Sequence, residues 1–263
     1  MAITRTSLVY FSPTGTSGRV ARNIASGVAL PVREIDRTFV RTRKEQHHFQ
    51  RDELVIMALP VYGGRLPPIS EDFFAGLSAD QSPTVFAVVY GNRHYDDALL
   101  ELKMAAEQKG FAGIAAGAFI GEHSFTRNVG RARPDFADQD IQSKFGQDIR
   151  EKLASLENKK PEVSVELKIP GTYPSPRPVL HLQIAPVTNE ECVNCQACVE
   201  GCPVEAINPD NPREVDARLC ISCCYCIKVC PREARHMEHE RILATVSRLE
   251  TTCFIPREAE LFI

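Results

Sequence analysis

The chain has 263 residues, 43% of them hydrophobic, which suits one large domain or a medium domain joined to a smaller one and argues against disorder throughout. Its net charge of -3 is uneven, with -5 on residues 189–240 and +2 on residues 1–188, so no part is basic enough for a nucleic-acid partner. No apolar run could cross a bilayer and the first residues lack the features of a signal peptide, so we expect a cytoplasmic protein without membrane insertion.

Strand and helix patterns alternate through the first part of the chain. Short apolar runs rich in β-formers predict strands over 6–11, 32–35, 53–60, 83–91 and 114–121. Apolar residues at helical spacing predict helices over 16–29, 69–77, 95–110 and 135–157. Because alternating elements form a parallel sheet covered on both faces, we predict an α/β domain over residues 1–158.

The segment SPTGTS, residues 12–17, follows the first strand and opens the first helix. Open α/β sheets bind anions there, where the helix N-terminus offers free N–H groups. The segment has no Lys and a single Gly, which excludes a P-loop and a dinucleotide fingerprint. Hydroxyl groups with one close-approach glycine suit a phosphate monoester such as that of FMN, although an ordinary capped helix start is the alternative.

Ser12, Thr14, Gly15 and Ser17 match the phosphate signature [ST]-x-T-G-x-[TS], and the chain here resembles flavodoxin. The resemblance implies a doubly wound parallel five-stranded sheet of order 2-1-3-4-5, with loops after the third and fourth strands lining the flavin ring. The FMN-binding residues that it implies are Ser12, Pro13, Thr14, Gly15, Thr16, Ser17, Pro60, Val61, Tyr62, Gly63, Gly64, Tyr90, Gly91, Asn92, Arg93, Tyr95 and Asp96.

Three features depart from a typical flavodoxin. The chain has no Trp, so stacking would fall to Tyr62, Tyr90 or Tyr95, and the matching part is slightly basic rather than acidic. The domain also continues into further sequence. His123 and Ser124 could close over the flavin or belong to a surface loop.

Residues 159–188 contain six prolines and show no helical period. This composition predicts an extended, semi-rigid strap that joins two domains.

Nine of the ten cysteines lie between residues 192 and 230. The spacing C-x2-C-x2-C-x3-C-P occurs twice with an offset of 28 residues, at Cys192, Cys195, Cys198 and Cys202 and again at Cys220, Cys223, Cys226 and Cys230. Thiolates in such runs suit iron–sulfur clusters. Structural zinc is the alternative, although zinc sites favour two separated CxxC pairs.

This segment resembles a bacterial two-[4Fe-4S] ferredoxin, which implies a small α+β domain over residues 189–240. In that family the fourth cysteine of each run binds the other cluster. The resemblance therefore assigns Cys192, Cys195, Cys198 and Cys230 to cluster 1 and Cys202, Cys220, Cys223 and Cys226 to cluster 2. Cys224 and Cys253 are interpreted as buried bystanders. Residues 241–263 form a predicted helix and a tail that could pack back on a domain.

The two parts together resemble flavodoxin–ferredoxin fusions of the EFR1 type. The resemblance implies an electron-transfer protein of anaerobic metabolism that passes electrons between FMN and two [4Fe-4S] clusters, and so links one- and two-electron redox partner proteins. We expect one cluster to lie close to the flavin edge. A flavin-dependent reductase of a small substrate, fed by the clusters, is the alternative, and a redox sensor with structural clusters is the third. No acid–base pair follows from the spacing, so no catalytic residue is predicted.

Overall fold

The computed structural model describes residues 3–157 and 167–263. The predicted domain boundary at residue 158 and the first part of the predicted strap, residues 159–166, lie outside the described residues.

The elements follow the predicted order, and each predicted strand and helix of the first part is present with ends within three residues of those expected. The first part contains β1 (Arg5–Tyr10), α1 (Thr16–Val28), β2 (Val32–Asp36), α2 (Val40–Arg43), β3 (His47–Phe49), β4 (Glu53–Pro60), α3 (Ser70–Phe74), β5 (Leu77–Ala79), β6 (Pro83–Tyr90), α4 (Ala98–Glu107), β7 (Ala112–Ile120) and α5 (Phe136–Glu157). The second part contains β8 (Val187–Thr188), α6 (Ala197–Glu200), α7 (Tyr225–Lys228), β9 (Arg235–His236), α8 (Glu240–Thr252) and β10 (Glu260–Phe262).

A single large sheet has the order β10-β7-β6-β4-β1-β2. Strands β2, β1, β4, β6 and β7 are parallel, and their order in the sheet is 2-1-3-4-5, so the predicted flavodoxin-like fold is confirmed. The prediction of five strands missed a sixth. The C-terminal β10 adds an antiparallel edge strand beside β7, with Leu261 opposite Gly117.

Both faces of the sheet are buried, as a parallel sheet requires. One apolar layer packs α1 and α5 against the sheet, and the other packs α3 and α4 against the opposite face. Helices α1 and α5 approach so closely that a Cβ atom at Gly27 or Gly146 would collide with a backbone carbonyl of the facing helix. Each central strand is therefore covered by helices on both faces, and the loops at its carboxyl end remain available to form a binding site.

The segment between β2 and β6 holds elements that the sequence did not predict. The short strands β3 and β5 pair in a separate parallel ribbon, and α2 precedes them. Arg37, with no exposed surface, donates to the backbone carbonyls of Phe73, Glu45, Arg43 and Ala75. Backbone carbonyls in this irregular segment therefore accept hydrogen bonds from one buried guanidinium, where a regular helix or sheet would supply backbone N–H donors.

Residues 189–240, here called the cysteine module, repeat in backbone conformation as well as in sequence. Left-handed residues occur at positions 28 apart: Asn194 and Ser222, Gln196 and Cys224, Glu205 and Glu233. Equivalent turns in the two runs therefore hold equivalent cysteines in similar local conformations. The sequence repeat is thus also a structural repeat.

The described part of the strap, residues 167–188, crosses the α/β domain before it reaches the cysteine module. Leu167 enters the domain's apolar core. Asp97 accepts hydrogen bonds from the Thr172 N–H and the Ser175 hydroxyl. Farther along, Leu180, Leu182 and Ile184 are more buried than the residues between them. This period of two is that of an extended chain with one apolar side.

Candidate functional site

A cavity lies at the carboxyl ends of β1, β4, β6 and β7 and extends to the cysteine module. We call it the interdomain cavity. Eleven of the predicted FMN-binding residues line it: Ser12, Pro13, Thr14, Thr16, Ser17, Pro60, Val61, Tyr62, Gly63, Tyr90 and Gly91. Three loops that are far apart in sequence thus meet in one place, as expected of parallel strands that end at one edge.

The loop between β1 and α1 forms one end of the cavity. Gly15 adopts a left-handed conformation (φ 81°) as the N-cap of α1, and its N–H donates to the Ser12 carbonyl (3.0 Å). The Ser12 hydroxyl oxygen accepts from the Gly18 N–H (3.0 Å), which fixes the loop against the helix. Among the described residues, the hydroxyls of Thr14, Thr16 and Ser17 have no hydrogen-bond partner. These groups and the α1 N-terminus fit a phosphate.

The turn after β4 brings Tyr62 and Gly63 to the cavity. The backbones of Tyr62 and Arg65 exchange hydrogen bonds, and Gly63 and Gly64 between them both have positive φ, at 62° and 88°. Such a turn requires two residues without a Cβ penalty. Burial raises the pKa of Tyr62 well above its usual value, and the thiol of Cys223 acts in the same direction.

The loop after β7 forms the opposite wall. His123 lines the cavity and packs on Gly91 so closely that a Cβ atom there would collide with the imidazole. Its Nδ1 accepts from the Phe125 N–H (3.1 Å), which assigns the proton of the neutral ring to Nε2. Burial, together with the charges of Lys228 and Arg93, lowers the pKa of His123 to about 4. The imidazole is therefore neutral at physiological pH.

Six of the predicted residues do not line the cavity. Gly15 and Gly64 shape its loops. Asn92 instead holds the C-terminal tail, since its side chain donates to the carbonyls of Cys253 and Ile255 and accepts from the Arg257 N–H. The Tyr95 hydroxyl donates to Glu260 (2.7 Å), and Asp96 pairs with Arg93 and Arg177.

Residues of the strap and the cysteine module complete the cavity, and sequence reasoning did not place them there. They are Leu180, Leu182, Ile221, Ser222 and Cys223. The alternation of apolar residues at 180, 182 and 184 was a readable signal for an inward-facing segment. Nothing local in the sequence indicates what that segment covers.

The two predicted ligand sets surround separate cavities of about 360 Å³ each. Cys192, Cys195, Cys198 and Cys230 line the first. Cys202, Cys220, Cys223 and Cys226 line the second, together with Cys224. No three His, Cys, Asp or Glu side chains in residues 3–157 and 167–263 are grouped as for a single metal ion. Four thiols around a cavity fit a polynuclear cluster with thiolate ligands.

Backbone N–H groups point at several of these sulfurs. The Ala206 N–H donates to Cys202 Sγ and the Ala234 N–H to Cys230 Sγ, both at 3.3 Å and 28 residues apart. The Ser222 N–H donates to Cys220 Sγ (3.4 Å). Such bonds favour the thiolate form and raise a cluster's reduction potential.

Cys224 is 2% exposed, and its thiol donates to the Ser222 carbonyl (3.6 Å). It occupies the left-handed position equivalent to Gln196 in the first run. Burial raises its pKa far above the usual value. Burial also raises the pKa values of the proposed ligands Cys220, Cys223 and Cys226, so the hydrogen bond from the Cys224 thiol to a backbone carbonyl is the feature that supports its role as a bystander.

The cysteine module is docked to the α/β domain by polar and apolar contacts. The buried guanidinium of Arg43 donates to the carbonyls of Thr38 and Pro203, the latter at 2.9 Å. Lys228 pairs with Glu122 (3.0 Å), and Ile221 lies in the apolar core of the α/β domain. Since Pro203 follows Cys202 and Ile221 precedes Cys223 by two residues, these contacts fix the second cysteine set beside the interdomain cavity.

Comparison with known proteins gives one family and several structures. Residues 185–208 match the family model of the 4Fe-4S binding domain. Similar solved structures include a flavodoxin from the domain Archaea (15% identity, 57% of this chain and 99% of that chain covered, TM-score 0.39). Another is a flavodoxin of Streptococcus pneumoniae TIGR4 (16% identity, 58% and 99% covered, TM-score 0.39). No curated protein matches the chain. None of the helices in the described part of the chain is long and apolar enough to span a membrane.

Proposed function

We propose that this protein is an electron carrier that holds one FMN and two [4Fe-4S] clusters, as in flavodoxin–ferredoxin fusions of the EFR1 type. FMN exchanges one or two electrons and each cluster exchanges one, so the protein links two-electron and one-electron partners. The domains we assign are 1–158 for FMN, 159–188 for the strap, 189–240 for the clusters and 241–263 for the closing helix and tail.

The observation that carries the proposal is that Cys223 lines the interdomain cavity and the second cluster cavity at once. A flavin held by the β1–α1 loop, Tyr62 and Gly91 would therefore share a wall with the cluster of the second set. The first set lies farther along the module, with Cys195 exposed. This arrangement supports electron transfer in the order flavin, second cluster, first cluster and protein partner.

Charge supports a protein partner at the module. The module carries -5 before its clusters are counted, and a cluster bound by four thiolates adds negative charge. Such a surface attracts a basic patch and associates more weakly as salt rises.

The adjacent pair Cys223 and Cys224 gives a matched test. We expect anaerobically purified protein to contain about eight irons and one FMN per chain. Cys223→Ser should lose about four irons and keep FMN, because one of the two clusters lacks a ligand. Cys224→Ser should keep all of them. Equal iron loss in the two variants, or no FMN in the wild type, would contradict the proposal.

A reductase of a small substrate is the second candidate, and the neutral His123 in the cavity wall favours it, because its Nε2–H can donate a hydrogen bond to a substrate oxygen. Steady turnover of a small oxidant with no protein acceptor, lost in His123→Asn, would select this function. Electron flow only to a protein acceptor would select the carrier.

A further inference from the structure

The internal repeat places a cation where its other half has an apolar residue. Ile207 and Arg235 each lie five residues after the cysteine that precedes a proline, Cys202 and Cys230. Ile207 is 4% exposed and packs with Cys198 and Cys226. Arg235 is 3% exposed. An arginine therefore occupies a buried core position of the module.

The guanidinium of Arg235 is incompletely satisfied by the protein. Its Nη2 donates to the Pro212 carbonyl. Its buried Nη1 has no hydrogen-bond partner, and no carboxylate pairs with Arg235, within the residues that the structure describes. Burying a cation without a counter-charge is unfavourable by several kcal/mol, so such a residue needs an anionic neighbour.

The position of Arg235 indicates what that neighbour is. Arg235 lines the first cluster cavity with Cys192, Cys195, Cys198 and Cys230. The side chain therefore lies against the first set, and an anionic cluster there would be its counter-charge.

We infer that Arg235 is a built-in counter-cation of the first cluster, which raises its reduction potential by stabilising the added electron. The inference rests on the proposed function, since it requires a cluster at the first cysteine set. Reduction adds one negative charge to a cluster, and a fixed cation in a water-poor site favours the more negative state. Because Nη1 has no partner among the described residues, it can donate a hydrogen bond to a sulfur atom of the cluster.

Arginine suits this role because its guanidinium stays charged and offers five donors in a rigid plane. The hydrogen bond to Pro212 and the pairing of β9 with β8 hold it in place. Arg235 is thus a positioning residue that tunes the first cluster without binding iron.

The test is an anaerobic redox titration of the holoprotein, followed by electron paramagnetic resonance of the reduced clusters. Arg235→Ile copies the residue of the other half of the repeat. At the potential that half-reduces the first cluster of the wild type, we expect the ratio of its reduced to its oxidised form to fall about tenfold, equivalent to about 59 mV for one electron. Arg235→Lys keeps the charge and should remain closer to the wild type than Arg235→Ile does.

Arg218→Ile is the control, because Arg218 is a largely exposed cation of the same module, paired with Asp216. We expect no comparable shift there, since solvent screens its charge. If Arg235→Ile assembles no clusters, Arg235→Gln gives the same comparison. Full iron content with unchanged potentials in these variants would overturn the inference. Wild-type protein without clusters would instead contradict the proposed function.

Discussion

At the scale of single residues, the environment of each side chain decides its chemistry more than its identity does. Cys223 and Cys224 are neighbours and both line the second cluster cavity, yet only Cys223 also lines the interdomain cavity, whereas the Cys224 thiol donates to the Ser222 carbonyl. The pKa of His123 is also set by its surroundings, because burial lowers it.

His123 should make stability pH-dependent below its ordinary pKa. The folded pKa is about 4, whereas that of the unfolded chain is about 6.5. Between these values the unfolded state binds more protons, so the free energy of unfolding falls as pH falls, by about 2 kcal/mol from pH 6.5 to pH 5. Thermal unfolding of wild type and His123→Asn, followed from pH 7 to pH 5, checks this. Parallel melting temperatures across that range would refute it.

At the scale of elements, close backbone approach decides where the helices lie. Gly27 and Gly146 allow α1 and α5 to touch, and this contact fixes α1, whose N-terminus forms one end of the interdomain cavity. Packing on one face of the sheet therefore supports binding at its edge.

Gly146→Ala should destabilise the α/β domain. The new Cβ would collide with the Ile24 carbonyl, and overpacking of this kind costs about 1–3 kcal/mol. This cost opposes a gain of about 1 kcal/mol in helix propensity. Chemical unfolding should show a net loss, whereas Glu151→Ala, an exposed position on α5, should change little. A more stable Gly146→Ala would show that α5 is free to move.

At the scale of the whole molecule, three distant segments enclose one cavity. The strap covers it with Leu180 and Leu182, and the cysteine module closes it with Ile221 and Cys223. The C-terminal tail, held by Asn92, completes the sheet through β10. The position of the cysteine module therefore depends on contacts between segments that are far apart in the chain.

Arg43 should control how firmly the module is docked. Arg43→Met leaves the carbonyls of Thr38 and Pro203 without their donor in a buried place, at a cost of about 1–3 kcal/mol. Hydrogen exchange of the amides in residues 220–226 should become faster. Arg41→Met, an exposed change on the same helix, is the matched control. Equal exchange in the two variants would mean that Arg43 does not secure the docking.

The sequence by itself determined the α/β domain, the loop between β1 and α1 and the two cysteine sets. These features depend on short-range order, because side-chain periodicity, loop position after a strand and cysteine spacing are all local. The β10 strand, the β3–β5 ribbon and the new role of Asn92 were missed for the opposite reason, since each depends on contacts between residues far apart in the chain.

Only the tertiary structure decided which surfaces meet. The spacing could not show that Cys223, rather than a cysteine of the first set, lines the interdomain cavity, nor that Arg235 lies against the first set. Local patterns specify the elements, and burial of apolar area between elements selects their arrangement. The candidate site residues of this chain could therefore be predicted from its sequence, whereas the proposed electron route depends on how the module packs on the sheet.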